Sequence, residues 1–335
     1  MRFVALALIA ACGGTAEPGS GEPPFEVTDP TDADEDGIPE QLEDHLMTVF
    51  GPELRLAPDD IDWTRPANVD WYLPKVHMRF DHGGCPDDNA IELGQVTLDN
   101  IATQQHYTKA SGTGLCRHND GTADLRFSNK KHLEFFLQPT DDDAVHPGIP
   151  PARSAEWRAY TQVRPSTYVR ADGKAAAYDL QVWYFFPYND FVALANHEAD
   201  WEHITISIAA DRTFVSAFFA SHNIGHRFDD PAELEWIGDT HVVGYVSDGS
   251  HATYHSAGAH PTGFPNVDDH TYANGPAWQT WTNFKNLGQV GKVLNDQRWA
   301  SYGGRWGEVG NTDDTSGPPG PMFNGKWDIT NEYPQ

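Results

Sequence analysis

The chain has 335 residues, 39% hydrophobic and 12% aromatic, enough for one large core or two modest ones. A formal net charge of -27 argues against nucleic acid as a partner and suits cation binding or an acidic exported surface. Eleven Trp, 24 Pro and 30 Gly predict many short strands joined by long loops, and 16 His against 22 Lys and Arg leave metal or acid–base chemistry open.

Residues 1–11 carry one basic residue and then an apolar run too short to span a bilayer, the pattern of a signal peptide. The run ends Leu8-Ile9-Ala10-Ala11-Cys12-Gly13, which resembles a bacterial lipobox. Cys12 is therefore the expected lipidation site, and the acyl chains would hold the protein on a membrane. Gly13, where Asp would favour the inner membrane, points to the outer membrane or cell surface. Residues 12–30 then read as a flexible tether. In an oxidising compartment Cys85 and Cys116 are expected to form a disulfide.

Residues 31–48 read as an EF-hand-like calcium loop and a short helix. Asp32, Asp34 and Asp36 stand at positions 1, 3 and 5 of the D-x-D-x-D-G-x₅-E template. Gly37 permits the turn, the Ile38 carbonyl falls at position 7 and Glu43 closes the loop; an all-oxygen set suits calcium. Pro39 departs from an EF-hand and resembles the short calcium loops of bacterial exported proteins. Residues 40–49 follow as a helix with Leu42, Leu46 and Val49 on one stripe, so the ion would order the junction between tether and domain.

From residue 49 to 335 the pattern is mainly β: an antiparallel β-sandwich with long loops and a few short helices. Residues 76–80 alternate as a strand, 97–107 read as a short helix and 130–138 as a buried strand. Two hairpins follow, turning at Asp172-Gly173 and at residues 209–212. Residues 241–246 are a further strand, and Trp278, Trp281 and Phe284 recur at helical spacing. There is no internal repeat, Gly-rich phosphate loop, GxSxG elbow or CxxC pair.

The densest group of ligand-type residues is residues 197–203, HEADWEH, after an aromatic strand and a loop at residues 187–190. Asp200 and Glu202 should share a strand face, roughly 6–7 Å apart, with His197 entering from the loop. This local pattern fits a cation site and a solvated strand end alike. His203, His222, His251 and His255 are candidate general acids or bases, the last two four residues apart. No HExxH zinc motif is present.

Several stretches together resemble the vacuolar-protein-sorting-62-related family. They are residues 50–56 (FGPELRL), 183–189 (WYFFPYN), 200–203 (DWEH), Ser221-His222, 249–254 (GSHATY) and 304–307 (GRWG), spread over about residues 45–330. A narrower resemblance joins residues 196–202 (NHEADWE) to GHRHDWE of the necrosis- and ethylene-inducing-peptide-like cytolysins. It implies a β-sandwich and a divalent cation, calcium or magnesium, held by His197, Asp200, Glu202 and the upstream Asn189 or Asp190, near a glycolipid head-group site. Ala199 replaces the middle His, and Asn189 stands where those toxins have Asp.

The first functional expectation is a membrane-tethered module that binds glycans or lipid head groups through the cation, with His222, His251 and Trp201 at its rim. A metal-dependent phosphodiesterase or esterase is the alternative, and a surface protein with purely stabilising ions is the third; the absence of a recognisable nucleophile leans away from an enzyme.

Overall fold

The computed structural model describes residues 25–81, 87–102, 135–191, 195–222, 224–262, 265–312 and 315–324. Cys12, Cys85 and Cys116 lie outside them. Among the described residues no helix is long and apolar enough to cross a membrane.

The fold is mainly β, and its spine is a six-stranded sheet. Strands β5 (Ala159–Pro165), β6 (Tyr178–Asn189), β7 (His197–Ile208), β8 (Phe214–Ser221) and β9 (Ile224–Phe228) form an antiparallel meander, and β16 (Phe284–Asn286) joins β5 at the edge. The turns are those the turn residues require: Gly173 has φ 91° and Arg212 φ 61°. A second sheet runs β10 (Trp236–Ile237), β11 (His241–Val246), β1 (Glu53–Arg55) and β15 (Ala277–Gln279), with β12 (Thr253–Tyr254) also paired to β11. Smaller units are β2 (Val76–Phe80) between β3 (Asp88–Ile91) and β4 (Phe135–Pro139), the hairpin β13 (Gly258–Pro261) with β14 (Asp268–Thr271), and β17 (Gly288–Gln289) with β18 (Lys292–Val293). Two pairings depart from the antiparallel expectation. β1 with β11 and β16 with β5 are parallel, each joining segments far apart in the chain.

β6 and β7 are buried almost throughout because both faces of their sheet are covered. Ile204 faces the second sheet so closely that a Cβ at Gly244 of β11 would stand 2.6 Å from its Cδ1. The Tyr184 ring meets Trp278 of β15 edge-on at 6.4 Å, and its hydroxyl bonds Thr253. On the other face Trp201 and Phe185 meet Tyr72, Trp299 and Trp306. These residues belong to one continuous core.

Helix α1 (Glu40–Phe50) buries Leu46, Met47, Val49 and Phe50 in that same core, so the helix after the calcium-loop motif packs as part of the main fold. Helix α2 (Val69–Tyr72) starts at Asn68, whose Oδ1 accepts from Trp71 N at 2.8 Å.

Three local expectations are corrected. Residues 187–189 continue β6, because Pro187 falls opposite Ala199 in a stretch where the register skips from Phe186↔Asp200 to Tyr188↔Glu198. Trp278, Trp281 and Phe284 are not on a helix: β15, a single 3₁₀ turn and β16 carry them, with Trp278 buried and Trp281 stacked on His241. Residues 97–102 form a turn closed by Ile101 N to Thr97 O, and 103–107 lie outside the described residues.

Gly148 shows how tightly the loop before the first sheet is packed. It has φ 64°, and a Cβ there would stand 1.9 Å from the Arg65 carbonyl oxygen. Gly148→Ala is expected to destabilise the fold by about 1–3 kcal/mol or more in urea titration; an unchanged midpoint would contradict this packing.

Candidate functional site

The calcium-loop residues do converge. Ligand atoms of Asp32, Asp34 and Glu40, and of Asp34, Asp36 and Glu43, lie within 4.8 Å of one another. Glu35 at φ 61° and Gly37 at φ 95° make the turn. Asp36 N and Gly37 N donate to the Asp32 carboxylate at 3.1 and 3.0 Å, and Ile38 N donates to Asp36 Oδ1 at 2.7 Å. Asp34 and Glu43 are each 2% exposed, yet both Asp34 oxygens and Glu43 Oε1 have no hydrogen-bond donor among the described residues. Burial, with neighbouring acids, pushes Asp34 up to about 7 and Glu43 up to about 9, and burial also raises Asp36. A hard cation is the group this arrangement suits. Glu40 was missed in the motif, although it stands at position 9, where EF-hand loops also place a ligand.

The second cluster lies at the start of β7. Asp200 and Glu202 share the face toward the second sheet and are buried, at 6% and 7% exposure. Asp200 Oδ2 accepts from Asn189 Nδ2 at 3.3 Å and from His251 Nδ1 at 3.0 Å. The His251 ring is 1% exposed, stacks flat on Phe186 at 3.9 Å and presents Nε2 toward Asp62 Oδ2 at 3.7 Å. That nitrogen has no hydrogen-bond partner among the described residues. Asp62 is fixed by Thr64 N at 2.8 Å and Gly249 N at 3.0 Å, and Asp190 N donates to Gly249 O at 3.0 Å, so three loops are stitched together here.

His197 does not join Asp200 and Glu202 at ligand spacing. Ala199, at φ 60°, breaks the regular alternation, and His197 Nδ1 turns to the Ala199 carbonyl oxygen at 2.8 Å. Asp190 Oδ1 accepts from Asn196 Nδ2 at 2.8 Å.

Beside this cluster is a cavity of about 310 Å³ lined by Asp62, Asp190, Asp248, Asp268 and Asp269. Trp63, 49% exposed, and Phe191 supply aromatic surface, and no Lys or Arg is among the lining residues. Asp269, 1% exposed, accepts from Ser250 Oγ at 2.8 Å and Tyr254 OH at 2.7 Å, and meets His222 Nε2 at 2.8 Å. His222 and His251 therefore both border this acidic region, through Asp269 and Asp62.

The remaining candidates scatter. His203 lies on the opposite sheet face, fully buried and stacked on Trp183 at 4.4 Å. His255 packs on Phe228 at 4.0 Å, and burial, aided by nearby His260 and His226, lowers its pKa. The spacing of four between His251 and His255 fails because His251 has φ 55° and leaves the strand path. Trp201 is core, not rim, at 2% exposure. Asp62 and Asp269 were missed, and only their position in Asp-rich stretches could have hinted at them.

No curated protein matches the chain in sequence. Among solved structures, the chain is similar to Necrosis and Ethylene inducing Protein 2 from the causal agent of cocoa's Witches Broom disease. The identity is 14% and the TM-score 0.40, covering 96% of this chain and 95% of that one. NLPPya in complex with mannosamine is similar at 12% identity and TM-score 0.40, over 95% of this chain and 99% of that one. Non-toxic HaNLP3 protein follows at 13% and 0.39, over 93% and 97%. The family model described as vacuolar protein sorting-associated protein 62 matches residues 155–307, a stretch that holds Asp200, His251 and Asp269 but neither Asp62 nor the calcium-loop residues.

Proposed function

We propose that the chain is an exported lipoprotein, anchored through Cys12 to the outer membrane or cell surface, that binds glycans or lipid head groups through a divalent cation. The carrying observation is His251: buried, held at Nδ1 by Asp200, with Nε2 facing Asp62 Oδ2 at 3.7 Å and without a hydrogen-bond partner among the described residues, beside an acidic cavity. Metal-binding imidazoles are commonly oriented from behind by a carboxylate in this way. In this reading Asp62 and His251 hold calcium or magnesium, Asp190 faces the same cavity, and Asp200, with Asn189, steadies the ring. Glu202 deepens the negative field, and sugar hydroxyls or a phosphate complete the ion's shell. Trp63 at the rim offers a flat apolar face suited to sugar rings.

A metal-dependent phosphodiesterase or esterase is the second reading. The same Asp200–His251 pair favours it, since a carboxylate-oriented imidazole can serve as a general base.

Anomalous diffraction and calorimetry on Asp200→Ala test the site. We expect a 10–100-fold weaker cation at the cavity, by about the penalty of losing an outer-shell partner. Stability should fall by about 1–3 kcal/mol, because His251 Nδ1 and Asn189 Nδ2 lose their buried acceptor. Full ion occupancy in both Asp200→Ala and His251→Ala would sink the proposal. Calcium-dependent retention on a glycan and lipid array supports the binding module, and turnover of a phosphodiester or ester lost in His251→Ala supports the enzyme.

A further inference from the structure

The Asp32–Glu43 loop touches more than its own helix. Asp36 Oδ2 accepts from Gln289 Nε2 at 3.1 Å, and Glu43 Oε2 accepts from Asn286 Nδ2 at 2.7 Å. Gln289 Nε2 also reaches the Val163 carbonyl at 3.0 Å, and its Oε1 accepts from Gln162, both in β5. Leu287 N donates to Thr161 O at 2.9 Å, so the segment between β16 and β17 is hydrogen-bonded to β5 as well. At Gly288 a Cβ would stand 3.2 Å from Asp34 Cβ and 2.8 Å from the Lys292 carbonyl; the left-handed φ of 74° there favours glycine too. Lys292 Nζ pairs with Glu35 across the same junction. The carboxylates thus lie between α1 and the edge of the six-stranded sheet, with Asn286 and Gln289 closing the far side.

Two observations point to an ion at this place and not to a solvated acidic turn. Asp34 and Glu43 are more than nine-tenths buried and aim donor-less oxygens into the cluster. Asn286, which helps seal it, donates to Glu43 Oε2, and Glu43 Oε1 and both Asp34 oxygens are left for a cation. We propose that a calcium ion in the Asp32–Glu43 loop is a keystone of the main fold, locking β16, β17 and the β5 edge to α1 as well as ordering the loop that holds it. Mutual repulsion among five acids otherwise pushes the loop away from the sheet edge, and the ion converts that repulsion into attraction on both sides of the junction. This does not depend on the ligand assigned to the acidic cavity.

Hydrogen exchange on the full-length chain, with calcium and with EDTA, tests the keystone. Calcium is expected to slow exchange in residues 284–294 by about tenfold or more, as for a unit whose opening it suppresses. It should also raise the melting temperature by about 5–10 °C at calcium a hundredfold above its dissociation constant. Glu43→Gln should abolish both effects while leaving residues 247–251 and 267–270, at the cavity, with their wild-type protection. Gln289→Ala keeps every carboxylate, so it should still bind calcium but confine the slowed exchange to residues 32–43; this variant serves where Glu43→Gln fails to fold. Calcium-dependent protection limited to residues 32–43 in the wild type, or none at all, would overturn the proposal.

Discussion

Trp201→Ala is expected to lose about 3–5 kcal/mol of stability, the largest effect of any single change at the HEADWEH stretch. Its indole is 2% exposed and meets Phe185 at 4.8 Å, Trp306 at 5.2 Å, Tyr160 at 5.6 Å and Trp299 at 6.0 Å. Removing it opens a hole where β5, β6 and the last third of the chain come together, and rings this large cannot collapse to fill it. Trp201→Phe keeps much of the apolar volume and should cost less than half as much. The side chain points away from Asp200 and Glu202, so molecules of Trp201→Ala that remain folded should bind cation with wild-type affinity. Urea denaturation followed by calorimetry separates the two effects. A stability change below about 1 kcal/mol, or cation binding lost from folded protein, would contradict the placement of Trp201 in the core.

The second large effect is on the pH dependence of stability, and calcium should reverse its sense. Glu43 rises from 4.5 to about 9 on folding, chiefly by burial, and Asp34 moves the same way. A carboxyl raised by folding stabilises the native state fully below its unfolded value, and that contribution is lost as pH climbs to the folded value. In EDTA the stability should therefore fall steadily between the unfolded value of 4.5 and the folded value of about 9 for Glu43, at up to about 1.4 kcal/mol per pH unit for one such group. With calcium in excess the ion supplies the missing positive charge, and acid becomes the destabilising condition because protons compete for the ligands. Melting curves at about pH 5.5 and about pH 8.5, each in EDTA and in calcium, give the four values needed. We expect the lower pH to be the more stable in EDTA and the higher pH in calcium. Melting temperatures in EDTA that do not change between the two would rule out the buried acids as the cause.

The parts of this fold that a reader of the sequence can find are those whose information is local. The turns at Asp172-Gly173 and Ala209–Arg212 sit between apolar runs, and β5–β6 and β7–β8 follow directly. The converging carboxylates at residues 32–43 are all legible in the motif but Glu40, because they fall within one short stretch of fixed spacing. Helix α1 follows from its apolar stripe, but not that this stripe enters the main core.

The acidic cavity is the opposite case. Asp62, Asp190 and Asp248 come from three loops and Asp269 from β14, and no periodicity links them. Alternation puts Asp200 and Glu202 on one face of β7, where the structure has them. It carries no information about which layer covers each face, so Trp201 was expected at a rim and is instead at the centre. His197 was expected beside Asp200, and the left-handed Ala199 redirects it. His251 takes its place next to Asp200, from a loop that itself turns through a left-handed residue.

The placement of β1 has a consequence for how the molecule can be made. This three-residue strand lies between β11 and β15, and Gln279 reaches back to Glu53 across 226 residues. Neither neighbour exists while the first two-thirds of the chain is being synthesised, and α1 likewise waits for its packing partners. Closing such distant contacts makes for slow folding, on the millisecond-to-second scale typical of non-local β topologies. The β5–β8 meander can zip up from neighbouring segments, whereas the amino-terminal helix and strand dock last, once the carboxy-terminal third arrives.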